Sequence, residues 1–553
     1  MANPRKKVRK EQPAPPRFAA ALAWVRMHAL ALVIALAVLA TIRIVTTYSV
    51  FNHTCDEPAH VACGMEWIEK GTYHLEPQHP PLARIATALG PYLVGCRLPS
   101  EKMPPGATAN GAIFNYMGAD VLYSQNQYLR NLSLARMGIL PFFWICTAVI
   151  YLWGRRYFGE LEAVIAVFLF TFLPPVLAHS GLATTDIPVT AMISAAFLAG
   201  LIWLEKPTAR YGAAFGALVG LAVLCKFSAL AFLPCAIAAA LVWYIVRERP
   251  GLAVIVDAAR KRLLTFALAV LAGAIVIWAG YRFAIAGGVP APPLWAGIRD
   301  VAEHNRLGHV SYLLGERSLR GFWYYYPVML AVKTPIAFLA LLFAGVLSYK
   351  RIQGVWLALA FSLGILLFAM TGNINIGVRH IMPVYLGFSL VAAAGAVRLL
   401  EMAARAQWAS VAVVLAVVWM AATSLFSHPD YLPYFNFLAG DEPEKVAVDS
   451  DLDWGQDLNR VGKRLRELGA PSVAISTFVV ARLTSMHGFP PTTLVNPQVP
   501  TPGWNAISIT SLKSGRLGLG KTHPEVTLWP DQVKPFERVG KGMWLYFFPP
   551  RPQ

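Results

Sequence analysis

NHTCDEPAHVACGMEWIEKGTYHLEPQHPPLAR, residues Asn52 to Arg84, follows directly on the first strongly apolar segment of the chain. Pro58 suits a helix start, because its missing N–H costs nothing in a first turn. On that helix Asp56, His60 and Cys63 share one face. Acidic residues ahead of a proline are common helix starts, since a carboxylate complements the positive end of the helix dipole. That accounts for Asp56 or Glu57 alone. It does not account for both carboxylates together with His53, His60, His74 and His79 in one loop of a chain only 14% charged. Such gathering predicts a polar site at a membrane surface.

The rest of the chain supplies the membrane. At 553 residues, 56% hydrophobic and with a mean hydropathy of +0.50, it is too apolar for a soluble protein of this size and is read as polytopic. The formal net charge of +18 raises the question of nucleic acid. The basic residues fall in short clusters between apolar segments, as topology signals do, so a nucleic-acid partner is excluded. Cys146, Cys225 and Cys235 lie in apolar segments, whereas Cys55, Cys63 and Cys96 share the first outer loop. One disulfide is open to those three, and no metal-binding spacing is present.

Apolar segments predict an α-helical polytopic membrane protein with about eleven transmembrane helices. They begin with Met27 to Tyr48, preceded by a basic cytoplasmic tail over 1–26, and end with Trp408 to Phe426. Arg155-Arg156, Lys206 with Arg210, Arg247 to Arg262, Lys350-Arg351 and Arg398 to Arg405 then fall on the side of the tail. The first loop (49–131), the Asp186 loop, the Lys226 turn and residues 371–380 fall outside. The first loop is long enough to hold short surface helices. After the membrane unit over 27–426, residues 427–553 read as a small soluble extracytoplasmic α/β domain. Its expected strands are Val446 to Val448, Val473 to Ser476, Ala506 to Thr510 and Met543 to Phe548, with a helix near Asp457 to Leu468.

DEPAH followed by HPPLAR after a first membrane segment resembles the C-type (GT-C) membrane glycosyltransferases. Within them it resembles the branch of protein O-mannosyltransferases and lipid A aminoarabinose transferases. The resemblance implies an Asp-Glu pair in the first outer loop, a second acid in the next, and a polyprenyl-phosphate-linked sugar as donor. Here the pair matches Asp56 and Glu57, and the second acid Asp186 in HSGLATTDIP. Lys226, in GLAVLCKFSAL, resembles a recurrent Leu-Thr-Lys turn with Cys225 in the Thr position. Where the aminoarabinose transferases show Lys-Pro-Pro-Leu, this chain has His79-Pro80-Pro81-Leu82, so a fixed cation becomes a titratable one. The lumenal domain that protein mannosyltransferases carry between late helices has no counterpart here.

The chemistry also follows from the residues. Transfer of a sugar from a phosphate needs one base for the acceptor hydroxyl and positive charge on the departing phosphate. Asp56 suits the first role, with inversion at the anomeric carbon if displacement is in-line, and Glu57 would orient it or bond sugar hydroxyls. Lys226, Arg379, His380 and Lys333 are candidates for the second, with His79 and Arg84 as further substrate-binding candidates. The plainer readings are snorkelling for Lys226, interfacial anchoring for Arg379 and His380, and helix capping for Asp186. Lys333 should face a phosphate or an acid. A divalent metal among Glu57, His60, His74 and His79 is an alternative, although their spacing matches no ligand template. DSDLDWGQD, Asp449 to Asp457, resembles stretches in bacterial relatives; it fails as a calcium loop and otherwise reads as a cap for the following helix.

Through that resemblance the sequence predicts an enzyme of the bacterial inner membrane, a glycosyltransferase facing the periplasm among membrane lipids, with no cofactor beyond the alternative divalent metal and with a glycan, lipid or protein hydroxyl as acceptor. The C-terminal domain is expected to position the acceptor. A transporter or lipid flippase is the rival from another class; it would place charges mid-membrane in broken helices, and here the acids lie at helix ends.

Overall fold

Apolar helices dominate the architecture and sort by how much of each is covered by protein. A computed structural model describes residues 19–99, 112–349, 352, 354–402, 406–519 and 526–550. The tail over 1–18, Lys350, Arg351 and Arg405, used above as topology signals, lie outside these. Among the described residues, six helices are long and apolar enough to cross a membrane, and three bent pairs pass that test together. Two shorter apolar helices, Ala209–Cys225 and Val355–Ala369, complete the set. Each apolar segment expected from the sequence coincides with one of these elements. The chain is an integral membrane protein.

The apolar stretch of Val378–Met402 is 94% buried and runs through the centre, whereas that of the more apolar Leu252–Gly280 is only 11% buried and lies at the periphery. An apolar helix left uncovered by protein has lipid as its natural solvent. Ala209–Cys225 packs closely on Leu252–Gly280, where a Cβ on Gly216 would overlap the Ala269 carbonyl. Small residues permit such backbone approach where no hydrophobic force separates helix from lipid.

The long first loop holds the short helices expected of it. Helix α1 (Glu57–Lys70) carries Pro58 in its first turn and ends at Gly71 in the left-handed conformation. Helix α2 (Pro81–Leu93) follows the HPP turn, and Ile113–Tyr123 closes the group. Val61, Met65, Ala88, Leu122 and Leu132 form their shared core. Two membrane helices then carry site residues at their ends: α3 (Asp186–Glu205) begins with Asp186, and α4 (Ala209–Cys225) stops one residue before Lys226.

Beyond Phe426 lies a five-stranded mixed sheet of β1 (Val473–Ser476), β2 (Thr492–Leu494), β3 (Gly503–Ser508), β4 (Glu537–Val539) and β5 (Met543–Phe548), in the order β2-β1-β3-β5-β4. β1 pairs parallel with β2 and β3; β5 pairs antiparallel with β3 and β4. Helix α5 (Leu458–Glu467) packs its Leu458, Val461 and Leu465 on this sheet. Two expectations need correction. Val446 to Val448 is not a strand: it lies between the 3-10 turns Pro443–Lys445 and Asp449–Asp451, and the Val446 carbonyl accepts from Leu314 N of an outer hairpin. β3 stops at Ser508, two residues early, because the Ser508 side chain accepts from Ser511 N and starts a helix there.

Tyr431, Leu432, Val446, Ala447 and Trp454 are buried in the same apolar core as the membrane helices. The stretch joining Phe426 to α5 is therefore packed into the membrane unit, not held away from it.

Candidate active site

At the start of α1 two adjacent carboxylates part company. Glu57 is fully buried and accepts from Arg136 Nε at 2.8 Å and Nη2 at 2.9 Å, from Thr54 N at 2.7 Å and from Ala183 N at 2.9 Å. Burial pushes its carboxyl up, but Arg136 and the two backbone donors outweigh burial and hold it below its usual range. Glu57 is thus occupied by Arg136 and the backbone, and the expectation that it orients Asp56 or meets sugar hydroxyls gives way to an anchoring contact. Asp56 precedes the helix and makes no side-chain capping bond. Its side chain stays 32% exposed and its Oδ2 lies 3.0 Å from Arg379 Nη1.

Arg379 connects the first loop to the second acid. It lies on the 3-10 turn Val378–Ile381, is 6% exposed, and its Nη1 is also 3.7 Å from Asp186 Oδ2. Asp186 is fully buried at the first position of α3, and its Oδ1 accepts from Lys226 Nζ at 2.7 Å. Its Oδ2 has no hydrogen-bond partner. Asp186 therefore faces cations across the site and does not cap its own helix. Lys226, extended past the end of α4 and 14% exposed, turns inward to it and not toward the headgroups. Asp56, Arg379, Asp186 and Lys226 form one alternating row of charge, open at Asp56.

Three histidines border the row. Arg84 Nε donates to His60 Nδ1 at 3.1 Å, so the neutral ring carries its proton on Nε2. Burial, with Arg84 second, holds His60 well below the ordinary histidine range. His79 packs edge-on against His60 with ring centroids 5.3 Å apart; burial and then Lys226 lower its pKa to about 4. His380, half-buried, has an Nε2 without a partner.

Two candidates lie elsewhere. Arg84 is buried and bonded to His60, to Tyr73 OH at 3.0 Å and to Glu76, so it stands behind the histidines, not at the opening. Lys333 is 1% exposed and donates to the carbonyls of Leu432 at 2.7 Å and Asp451 at 2.6 Å, with Phe435 4.3 Å below its ammonium. Its direct partners are main-chain oxygens, and the acid expected to face it is Asp451, whose carboxylate and the Lys333 ammonium stabilise each other's charge.

Cys55, Cys63 and Cys96 are all free thiols, so the disulfide left open above is not formed. Among the described residues no group of three or more His, Cys, Asp and Glu side chains is placed to hold a metal ion.

The sequence reading missed the floor of the site. Ser450 Oγ accepts from Arg379 Nε at 3.1 Å, and the Trp454 ring lies 4.2 Å from the Arg379 guanidinium. Asp449, at φ 57°, accepts from Ser450 N at 2.6 Å, and burial raises its carboxyl to about 7. The signal was present in DSDLDWGQD, but nothing local in it points to a partner some seventy residues earlier in the chain.

With this geometry established, comparisons place the fold. A family model described as dolichyl-phosphate-mannose-protein mannosyltransferase matches residues 135–278, a segment that contains Asp186 and Lys226. No curated protein matches the chain by sequence. The crystal structure of ArnT from Cupriavidus metallidurans bound to undecaprenyl phosphate superposes with a TM-score of 0.51 at 13% identity, covering 95% of this chain and 98% of that one. The apo state of the same ArnT gives 0.50 at 13% identity over the same shares. The chain shares the overall fold of that ArnT, in keeping with the resemblance read from the first loop. At 13% identity the likeness to ArnT is one of fold.

Proposed function

We propose that the protein is a glycosyltransferase that takes a sugar from a polyprenyl-phosphate carrier and attaches it to an acceptor hydroxyl on the outer face of the membrane. The observation that carries this reading is the row of Asp56, Arg379, Asp186 and Lys226, built from the ends of outer loops and helices and open at a carboxylate. ArnT from Cupriavidus metallidurans binds undecaprenyl phosphate, and the shared fold supports a carrier of that class here.

In this reaction Asp56 takes the proton of the acceptor hydroxyl as its oxygen attacks the anomeric carbon. The bond from that carbon to the phosphate oxygen breaks, and the electron pair stays on the phosphate. Arg379 and Lys226 hold the charge that develops there, where apolar surroundings strengthen each contact. Asp186 keeps both cations in place. In-line displacement inverts the anomeric centre, so one carboxylate on the acceptor side suffices. The acceptor is a glycan, lipid or protein hydroxyl.

Mass spectrometry of glycolipids and glycoproteins from cells with and without the gene tests the reading. Deletion should leave a polyprenyl-phosphate sugar unconsumed and an acceptor lacking that same sugar. Unchanged profiles of both carrier and acceptors would count against it.

A further inference from the structure

The Asp449 to Asp457 loop belongs by sequence to the C-terminal part, yet it touches both halves of the ion pair at the mouth of the site. On one side Ser450 Oγ bonds Arg379 Nε and the Ile376 carbonyl, and Asp451 Oδ1 accepts from Val378 N at 3.0 Å. A Cβ on Gly377 would overlap Ser450 Oγ, so the two segments meet at the closest approach their residues allow. On the other side the Trp454 carbonyl accepts from Cys55 N at 3.1 Å, next to Asp56. Asn52 Nδ2 donates to the Gly455 carbonyl at 2.7 Å, and Asn52 Oδ1 accepts from Leu458 N at 2.7 Å. Between the two sides the Trp454 ring lies against the guanidinium of Arg379.

The loop is itself held rigidly. Asp451 Oδ2 accepts from Tyr325 OH at 3.0 Å, and its carbonyl from buried Lys333. Asp453 accepts from Ser508 Oγ and from Thr510 N at 3.0 Å, which ties the loop to the end of β3.

We propose that Ser450 and Trp454 are positioning residues for Arg379, so that the C-terminal segment governs binding of the carrier phosphate and not only the placing of the acceptor. This rests on the reading of Arg379 as a phosphate ligand. A planar guanidinium grips phosphate oxygens well only when its plane is fixed. Here one edge is fixed by a hydroxyl at Nε and one face by an indole, which leaves Nη1 directed between Asp56 and Asp186.

The test is binding of undecaprenyl phosphate, without acceptor, to the full-length protein and its variants. Ser450→Ala and Trp454→Leu should each weaken binding by roughly tenfold, while Trp454→Phe, which keeps a ring under the guanidinium, should recover most of the loss. In an Arg379→Ala background, Ser450→Ala and Trp454→Leu should have no further effect, because their influence passes through that side chain. A merely structural role would weaken binding equally in both backgrounds. If Arg379→Ala itself leaves binding unchanged, the phosphate reading fails. If Arg379→Ala weakens binding but a folded Ser450→Ala and Trp454→Leu both bind normally, the positioning role is overturned. Should Trp454→Leu fail to fold, Ser450→Ala in the two backgrounds decides the matter alone.

Discussion

Asp56 and Glu57 are neighbours in sequence and opposites in environment, and the difference has measurable consequences. Glu57 sits with Arg136 where neither charge reaches water. Removing one partner of a buried pair leaves the other uncompensated, at about 3–5 kcal/mol. Glu57→Gln should therefore lower thermal stability strongly, and Asp56→Asn, at an exposed position, should not; unfolding followed by intrinsic fluorescence separates them. Equal effects on stability would contradict the division of roles. Lys333→Met should likewise cost stability, roughly 1–3 kcal/mol as buried carbonyls lose their donor. The DE pair was legible as a feature of the first loop. Which of the two faces inward was not, because that depends on Arg136, which is remote in sequence and sits in an otherwise apolar stretch.

At the scale of elements, the apolar segments and the strands Val473 to Ser476 and Met543 to Phe548 could be read from local pattern, since burial of a helix or a strand leaves its own period in the sequence. The aspartate loop could not. Asp451 bonds Tyr325 and Val378, Asp453 bonds Ser508 and Thr510, and Asp457 bonds Lys541 N at 3.0 Å and Gly542 N at 2.9 Å. Each carboxylate serves a different element, and no spacing within DSDLDWGQD encodes the partners. A second contact joins the first loop to the C-terminal part through histidines. His53 bonds Tyr128 OH at 2.8 Å and the Val480 carbonyl at 2.9 Å; His487 bonds Tyr123 OH at 3.0 Å and Asn459 at 2.7 Å. Burial lowers His53 to about 4 and His487 to about 3. Unfolded histidine takes up its proton near 6.5 and the folded pair does not, so the unfolded state binds more protons between those values. Stability from this contact is complete above about 6.5 and falls as pH drops toward about 4. Protection of Tyr128 and Val480 peptides from hydrogen exchange, corrected for the intrinsic pH dependence of amide exchange, should fall over that window in the wild type, and less in His487→Gln. Protection that does not change with pH would refute the histidine contact as the cause.

For the whole molecule, the sequence indicated a separate C-terminal domain that positions acceptor, whereas the structure packs its first thirty or so residues into the membrane core. Arg43 of the first membrane segment donates to Tyr431 OH at 3.1 Å, and Asn436 bonds the carbonyls of Ala331 and Thr334. Truncation after Phe426 should therefore cost carrier binding as well as transfer, and a truncated protein that binds carrier normally would restore the simpler division. The side on which these parts lie is tested by labelling in a cysteine-free background. A thiol introduced near Gly440 should react with an impermeant reagent from outside, and one near Arg155 only after permeabilisation; the reverse pattern would remove the site from the outer face.

The claim on which the account turns is that Asp56 is the base of the transfer. Its most direct measurement is single-turnover transfer by purified Asp56→Asn with the donor that mass spectrometry identifies, alongside carrier binding by the same preparation. Turnover should fall by roughly a hundredfold or more while undecaprenyl phosphate still binds. Near-normal turnover in the folded variant would contradict the account and move the base elsewhere, with Asp186 the first candidate.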